Sequence, residues 1–452
     1  MAMFSVGSMG GGGAGTLEAT ERESAGSPAE ATGSSAFFPA PVETLAEAGL
    51  DETYVEALIL KHLLATGSNT GRGVATDLCL PGRLVVELLT AFKNRQLVVY
   101  KGQTSMSDFQ YVLTEAGCTL ARRYLAECTY SGAAPVPFAK YVESVAAQTI
   151  ENERPGVNEL RAAFNDLLIS DSMLERLGPA INSGRGLFLF GFPGNGKTSI
   201  AERITGAFGS DVWMPKAIIV DGETILLYDP QCHHSVSSDQ PSIVKGAGHD
   251  RRWIKIKRPT IVVGGELHMD ALELRFDVTT KITAAPLQLK SNCGTLVIDD
   301  FGRQRMDPDE LLNRWIVPLE KRFDYLTLHN GKKIQVPFDQ LIVFSTNLEP
   351  KDLVDDAFLR RIPYKINVVD PSDGEFRELM MVTAKRLGVA YDGNAVDHLV
   401  EKHYVQANRP FRCCHPRDLL LQIKNRATYL NSPCVMTPET FDFACETYFT
   451  LL

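Results

Sequence analysis

Residues 186–199 read GLFLFGFPGNGKTS. The run Gly186-Leu187-Phe188-Leu189-Phe190 has the length and apolar continuity of a strand buried on both faces. Behind it, Gly191-Phe192-Pro193-Gly194-Asn195-Gly196-Lys197-Thr198 fits the template G-x-x-x-x-G-K-[ST], and Ser199 to Phe208 can form a helix. Strand, glycine loop and helix in that order predict a phosphate-binding loop rather than a plain turn. The glycines let the backbone curl so that its N–H groups face phosphate oxygens, and the helix N-terminus adds a favourable dipole. Lys197 then reaches the β- and γ-phosphates, Thr198 can bind magnesium, and Gly191, Pro193, Gly194, Asn195, Gly196 and Ser199 complete the cradle.

Further along, Thr295-Leu296-Val297-Ile298-Asp299-Asp300 is a short β-branched strand ending in two carboxylates. Such a pair can hold a magnesium shell and orient a water, although two acids after a strand also serve as a loop or helix cap. Asp299 is the better metal-side residue. Gln340-Leu341-Ile342-Val343-Phe344-Ser345-Thr346-Asn347 is another buried strand with a polar end, and Ala357-Phe358-Leu359-Arg360-Arg361-Ile362-Pro363 and Pro416-Arg417-Asp418-Leu419 follow.

This ordered set resembles the AAA+ ATPase family over about Val157 to Leu452. The resemblance implies ATP and Mg2+ as cofactors, with Lys197 and Thr198 as the Walker A pair and Asp299 and Asp300 as the Walker B acids. Asn347 becomes sensor 1, Arg361 the finger directed at a neighbouring subunit's γ-phosphate (with Arg360 its rival), and Arg417 the sensor-2 arginine. Aspartate stands at Asp300 where this family often has glutamate, and an "IDD" ending also occurs in its initiator and helicase-loader branches. The implied fold is α/β, a P-loop core with a mainly parallel sheet and a C-terminal α-helical lid. Activity would need a homo-oligomer, a ring or partial ring.

Composition sets the bounds around this core. The 452 residues carry a net charge of −9, with 44% hydrophobic and 22% charged residues, the balance of a soluble multi-domain chain. No apolar run approaches the roughly 18 residues of a membrane span, and the acidic start, with Glu18, Glu21, Glu23 and Glu30, is unlike a secretory signal. The expectation is a cytoplasmic protein with no membrane insertion. Nine cysteines, an odd number, point to reduced thiols. Neither Cys232-His233-His234 nor Cys413-Cys414-His415 has the paired spacing of a zinc site.

Residues 1–40, rich in Gly, Ala, Ser and Glu, read as a disordered tail. Residues 41–130 predict three helices, a hairpin from Leu97–Tyr100 and Phe109–Leu113, and a further helix. That order, with Leu113-Thr114-Glu115-Ala116-Gly117 after the second strand, resembles a winged helix-turn-helix, a small α+β domain. If it binds DNA, Arg83, Lys93 and Arg95 are the first contacts to test; protein docking is the other reading. A connector spans 131–156, the ATPase core 157–369 and the helical lid 370–452.

Two features bear on what a motor of this kind would act upon. In Arg251-Arg252-Trp253-Ile254-Lys255-Ile256-Lys257-Arg258, strand alternation puts Arg251, Trp253, Lys255 and Lys257 on one face. That face suits a phosphate backbone or an acidic peptide, or is simply a lysine-protected edge. Asn330-Gly331 between alternating runs predicts a two-residue hairpin with Lys332 and Lys333 at its tip, placed where some AAA+ branches carry a pore hairpin. The sequence therefore leads to a hydrolysing machine that moves or remodels a macromolecule, leaning toward DNA. The alternatives are a MoxR-like chaperone ATPase acting on a protein client, and a slow nucleotide-gated docking protein.

Overall fold

The computed structural model describes residues 37–103, 108–209, 211–236 and 248–449. At its centre lies a five-stranded sheet made of β1 (Leu187–Phe190), β2 (Thr260–Val263), β3 (Gly294–Ile298), β4 (Gln340–Thr346) and β5 (Tyr364–Asn367), in the order β2-β3-β4-β1-β5. Every neighbouring pair is parallel. β3 and β4 are buried along their whole lengths, which explains why both read as continuous apolar runs instead of alternating ones. One face packs Leu187, Leu189, Val297, Leu341 and Val343 against Ile200, Ile204 and Phe208. The other packs Phe188, Leu296, Ile298, Ile342 and Phe344 against Trp315 and Leu311. The chain is thus an α/β protein with a helix-covered parallel sheet.

The C-terminal residues form an all-helical unit of α1 (Asp373–Leu387), α2 (Gly393–Val400), α3 (His415–Tyr429) and α4 (Pro438–Tyr448), closed around Phe376, Met380, Leu399, Leu419, Ile423 and Phe441. Local sequence sets its boundaries. Ser372 and Glu375 make a reciprocal capping box at the start of α1, and Gly388 ends that helix at φ 70°.

Before the core, helices Glu52–Thr66, Gly71–Asp77 and Gly82–Asn94 precede the strands Val98–Gln103 and Phe109–Leu113 and the helix Glu115–Glu127. Residues 131–156 do more than connect. Val136–Pro137 pairs with Ala217–Val220 in a second, mixed five-stranded sheet, whose other strands, Glu223–Leu226, Arg275–Phe276 and Thr283–Ala284, come from the segment between the phosphate loop and β3. Tyr141 and Val145 of the following helix pack into the same cluster as Ile218, Ile225, Leu326 and Val336. Of the segment expected to be a disordered tail, residues 1–36 lie outside the described residues. Residues 37–40 are docked: Phe37 meets Trp253 at 5.4 Å between ring centroids, Phe38 meets Trp213 at 5.9 Å, and the Asp250 amide donates to the Pro39 carbonyl at 3.0 Å.

The basic stretch departs from simple alternation. Only Trp253–Ile256 is strand, paired antiparallel with Val212–Pro215. Trp253 is buried, which removes it from any face open to a polymer. Arg252, expected opposite the cationic face, is fully buried. Its guanidinium is paired with Asp250 at 2.8 Å and donates to the carbonyls of Ala48 (2.9 Å) and Pro135 (3.1 Å). Arg258 is buried too, donating to Cys293 O at 2.8 Å and paired with Glu153 at 2.6 Å. Arg251 and Lys257 stay exposed, while Lys255 is half-buried and 3.5 Å from Asp211. Desolvated aromatic and guanidinium groups with carbonyl and carboxylate partners outweighed the period-two pattern here.

The Asn-Gly hairpin forms, with a longer loop than expected. Phe323–Thr327 pairs with Lys333–Pro337, and Leu328 N–H bonds Lys332 O at 2.9 Å. His329, Asn330 and Gly331 make a three-residue loop with Gly331 at φ 83°, the left-handed position such loops require. Its tip is docked, not projecting. His329 stacks on Phe276 at 3.8 Å and its N–H donates to Glu223, while Lys332 is ion-paired with Asp221 at 2.5 Å. Lys333 is exposed.

Candidate functional site

In parallel sheets, ligands bind beyond the carboxyl ends of the strands. Here β1 runs into the glycine loop, β3 into Asp299-Asp300 and β4 into Asn347, so three strand ends deliver the three motifs to one place. They line a cavity of about 590 Å³ with Pro193 to Ile200, Arg303, Arg417, Leu379 and Leu167-Leu168-Ile169. That volume lies within the roughly 300–1,000 Å³ of small-molecule sites. Gly191 borders an adjoining cleft that shares Asn347.

The loop's shape rests on its glycines. Gly191 sits at φ 140°, and a Cβ there would come within 2.4 Å of Val368 O, because β5 closes against the loop's base. Gly194 sits at φ 87°, with space for a Cβ taken by Cys414 Sγ at 2.6 Å. Helix Lys197–Ile204 starts directly after Gly196 at φ 83°, so its N-terminus faces the cavity.

Inside, the polar groups are chained together. Lys197 Nζ donates to Gly191 O (2.9 Å), Phe192 O (3.0 Å) and Asn347 Oδ1 (2.7 Å). Asn347 Nδ2 donates to Asp300 Oδ1 at 3.1 Å, and Thr198 Oγ1 donates to Asp299 Oδ2 at 2.8 Å. Asp300 is held at φ 48°, a left-handed conformation that aspartate tolerates better than most residues. Burial pulls the Lys197 pKa down, opposed by the charges of Asp299 and Asp300, with Arg412 adding to the lowering. A phosphate oxyanion would relieve that desolvation as no protein carbonyl can. Thr198 and Asp299 offer hard oxygen donors 2.8 Å apart, close to the ~3 Å spacing of neighbouring ligands on an octahedral Mg2+ with bonds of about 2.0–2.1 Å; the donor set fits the ion.

The lid grips the loop from above. Cys414 N–H donates to Gly194 O at 2.9 Å, and Asn195 Nδ2 donates to Asp370 Oδ1 at 2.6 Å. Arg412 pairs with that same Asp370 and lies 4.4 Å from the centre of the Phe192 ring. Arg417 lines the cavity from the first turn of α3, paired with Asp418 at 3.0 Å.

Arg361 stands elsewhere. It is ion-paired with Glu320 at 2.6 Å and precedes β5, whose first residue Tyr364 pairs with Leu187 at the start of β1. That is the end of the sheet opposite its own phosphate loop, and neither Arg360 nor Arg361 is among the residues lining the cavity.

Sequence reasoning missed several residues here. Leu167-Leu168-Ile169 and Leu379 give the cavity an apolar end; a Leu-Leu-Ile run 22 residues before the loop carried no motif. Arg303 reaches the cavity from a turn fixed by Gln304, which accepts from Gly302 N–H at 2.8 Å and donates to Asp299 O at 2.9 Å. Arg412 and Asp370, which tie lid to loop, stand outside every template. At the first domain, Arg83 is paired with Glu87 and Arg95 with Glu56, while Lys93 caps the Tyr100 ring at 3.8 Å. Among the described residues, no helix is long and apolar enough to cross a membrane.

Comparison with known proteins adds little to this geometry. Residues 372–447 match a family model described as a domain of unknown function (DUF8689). No curated protein matches the sequence. Similar solved structures include Thermotoga maritima RuvB, described as a Holliday junction branch migration motor, at 12% identity and TM-score 0.38, covering 64% of this chain and 73% of that one. A point mutant of the same RuvB gives 13% identity, TM-score 0.37, and 62% and 71% coverage. NtrX from Brucella abortus gives 13% identity, TM-score 0.39, and 63% and 56% coverage. At these values the likeness assigns no role to any residue, and the chemistry rests on the cavity itself.

Proposed function

We propose that the chain is an ATP-hydrolysing enzyme of AAA+ type. The observation that carries this reading is the convergence of Lys197, Thr198-Asp299 and Asp300-Asn347 in one cavity at the carboxyl ends of three parallel strands. ATP places its base against Leu167–Ile169 and Leu379 and its phosphates on the N–H groups of Gly194 to Thr198. Lys197 would exchange its carbonyl partners for phosphate oxygens, and Thr198 and Asp299 would hold Mg2+, which when bound would supply charge neutralisation for the transferred phosphoryl group. Asn347 and Asp300, already hydrogen-bonded, orient the attacking water. Arg361 faces away from its own phosphates, which supports a finger acting on a neighbouring copy, and hence a homo-oligomer.

For the client, the sequence leaned toward nucleic acid; several of the side chains behind that lean count against it, although Arg251, Lys257 and Lys333 stay exposed. Arg83, Arg95, Arg252, Arg258 and Lys332 are each paired with a carboxylate, and Trp253 is buried, so no continuous cationic track is assembled from these residues. Nucleotide binding and steady-state phosphate release should be measured for wild type, Lys197→Ala and Asp300→Asn. Loss of binding in the first and loss of turnover with binding retained in the second are expected. Undiminished hydrolysis in Lys197→Ala would overturn the site. Phosphate release that rises with single-stranded or duplex DNA at moderate salt would return the client to nucleic acid.

A further inference from the structure

Outside the residues that line the nucleotide cavity, on the helical lid, two imidazoles and a carboxylate converge. His398 Nε2 lies 2.9 Å from Asp442 Oδ1, and His403 Nε2 lies 2.6 Å from the same oxygen. The geometry points to a binding site for a divalent transition metal, Zn2+ in chemical class, held by His398, His403 and Asp442.

The local fold makes this juxtaposition. His398 and His403 are five residues apart, and on an α-helix such positions stand about 140° apart around the axis. Here α2 passes into a π-turn over Glu401–Val405, closed by Gln406 N–H to Glu401 O at 2.9 Å. The wider turn brings both rings to the side facing Asp442 on α4. Isolated π-turns cost helix regularity and concentrate at functional sites.

The chemistry of the donor set is specific. Both ring nitrogens address one carboxylate oxygen, so without an ion each ring must carry its proton on Nε2 and the oxygen accepts twice. A cation can replace both protons. The three ligand atoms lie within 4.8 Å of one another, and tetrahedral Zn2+ with bonds of about 2.0–2.1 Å needs them roughly 3.3 Å apart, so the two His–Asp separations of 2.9 and 2.6 Å need only open slightly. Imidazole nitrogen and carboxylate oxygen suit Zn2+ and its neighbours, not Mg2+. The side chains are 30%, 17% and 35% exposed in the order His398, His403, Asp442, which leaves one side open for entry and for a water as fourth ligand. Lys402 occupies the other oxygen, Oδ2, at 2.8 Å. It is half exposed and can swing clear, and the Glu439 carboxylate, one turn before Asp442, adds negative charge near His398.

The test uses the full chain, reduced and stripped with chelator, titrated with Co2+ in visible absorption and with Zn2+ against a chromogenic chelator. One ion per chain is expected, with cobalt bands free of thiolate charge transfer, since the nine cysteines are the competing ligands. His398→Gln keeps an N–H for Asp442 but is a poor ligand. It and Asp442→Asn should weaken binding by more than the roughly 10–100-fold that outer-shell partners cost. Lys402→Ala should bind as well or better. Wild-type affinity in the His398→Gln variant, thiolate bands, or no uptake by a chain with unchanged circular dichroism would each overturn the site, the last leaving a hydrogen-bonded charge cluster. Lys197→Ala should take up the ion unchanged.

Discussion

Replacing Arg252 by methionine would show what the basic stretch is for. The guanidinium is fully buried, makes three contacts with the Asp250 carboxylate between 2.8 and 3.1 Å, and holds the carbonyls of Ala48 and Pro135. Methionine keeps the stem's packing, so the loss is electrostatic. Asp250, itself 5% exposed, is left as a buried charge with its backbone and side chain still fixed by the same turn. Removing one partner of a buried pair costs about 3–5 kcal/mol, or roughly two to three and a half powers of ten in the folding equilibrium. Urea unfolding followed by tryptophan emission is well placed to detect it, because Trp253 is the next residue and Trp213 pairs across the ladder. Arg252→Met with Asp250→Asn removes the orphaned charge and should recover part of the loss. A single variant destabilised by less than about 1 kcal/mol, or a double variant as unstable as the sum of its singles, would refute the assignment of Arg252 as a structural tie.

Three further outcomes follow from the site. Gly194→Ala should weaken fluorescent-nucleotide binding, since φ 87° costs an alanine about 1–2 kcal/mol and its Cβ meets Cys414; adding Cys414→Ala should relieve only the contact. Burial, with Arg412 adding to it, pushes the His415 pKa down from 6.5 to about 4, so the unfolded lid binds the extra proton first. Lid stability, followed by hydrogen exchange, should fall as pH drops from 6.5 toward 4, and His415→Gln should flatten that slope. Mixing Arg361→Ala with Lys197→Ala subunits should restore hydrolysis, because each can supply what the other lacks; no recovery would sink the finger in trans.

The central sheet was legible because burial on both faces writes itself as unbroken apolar text, as in β3 and β4. The meeting of Lys197, Thr198, Asp299, Asp300 and Asn347 in one cavity was legible because each motif directly follows an apolar strand run. What escaped reading depends on partners distant in sequence. Arg252 carried no sign of a structural role because Ala48 and Pro135, whose carbonyls it holds, are 204 and 117 residues away. Lys332 looked like a free tip for the same reason, with Asp221 hidden in another hairpin. The apolar end of the cavity gave no signal, since Leu167–Ile169 is indistinguishable from core until the lid's Leu379 is seen opposite it.

The Gly194 carbonyl that accepts from Cys414, and the Phe192 ring under Arg412, tie the helical unit directly to the glycine loop. A loop that changed its curvature around an anion would disturb both contacts, so nucleotide binding is expected to alter hydrogen exchange at the start of α3. The missing Cβ at Gly194 therefore does more than permit a backbone conformation: it leaves the space that Cys414 Sγ takes, 2.6 Å from where a Cβ would stand, so a side chain there would wedge loop and lid apart.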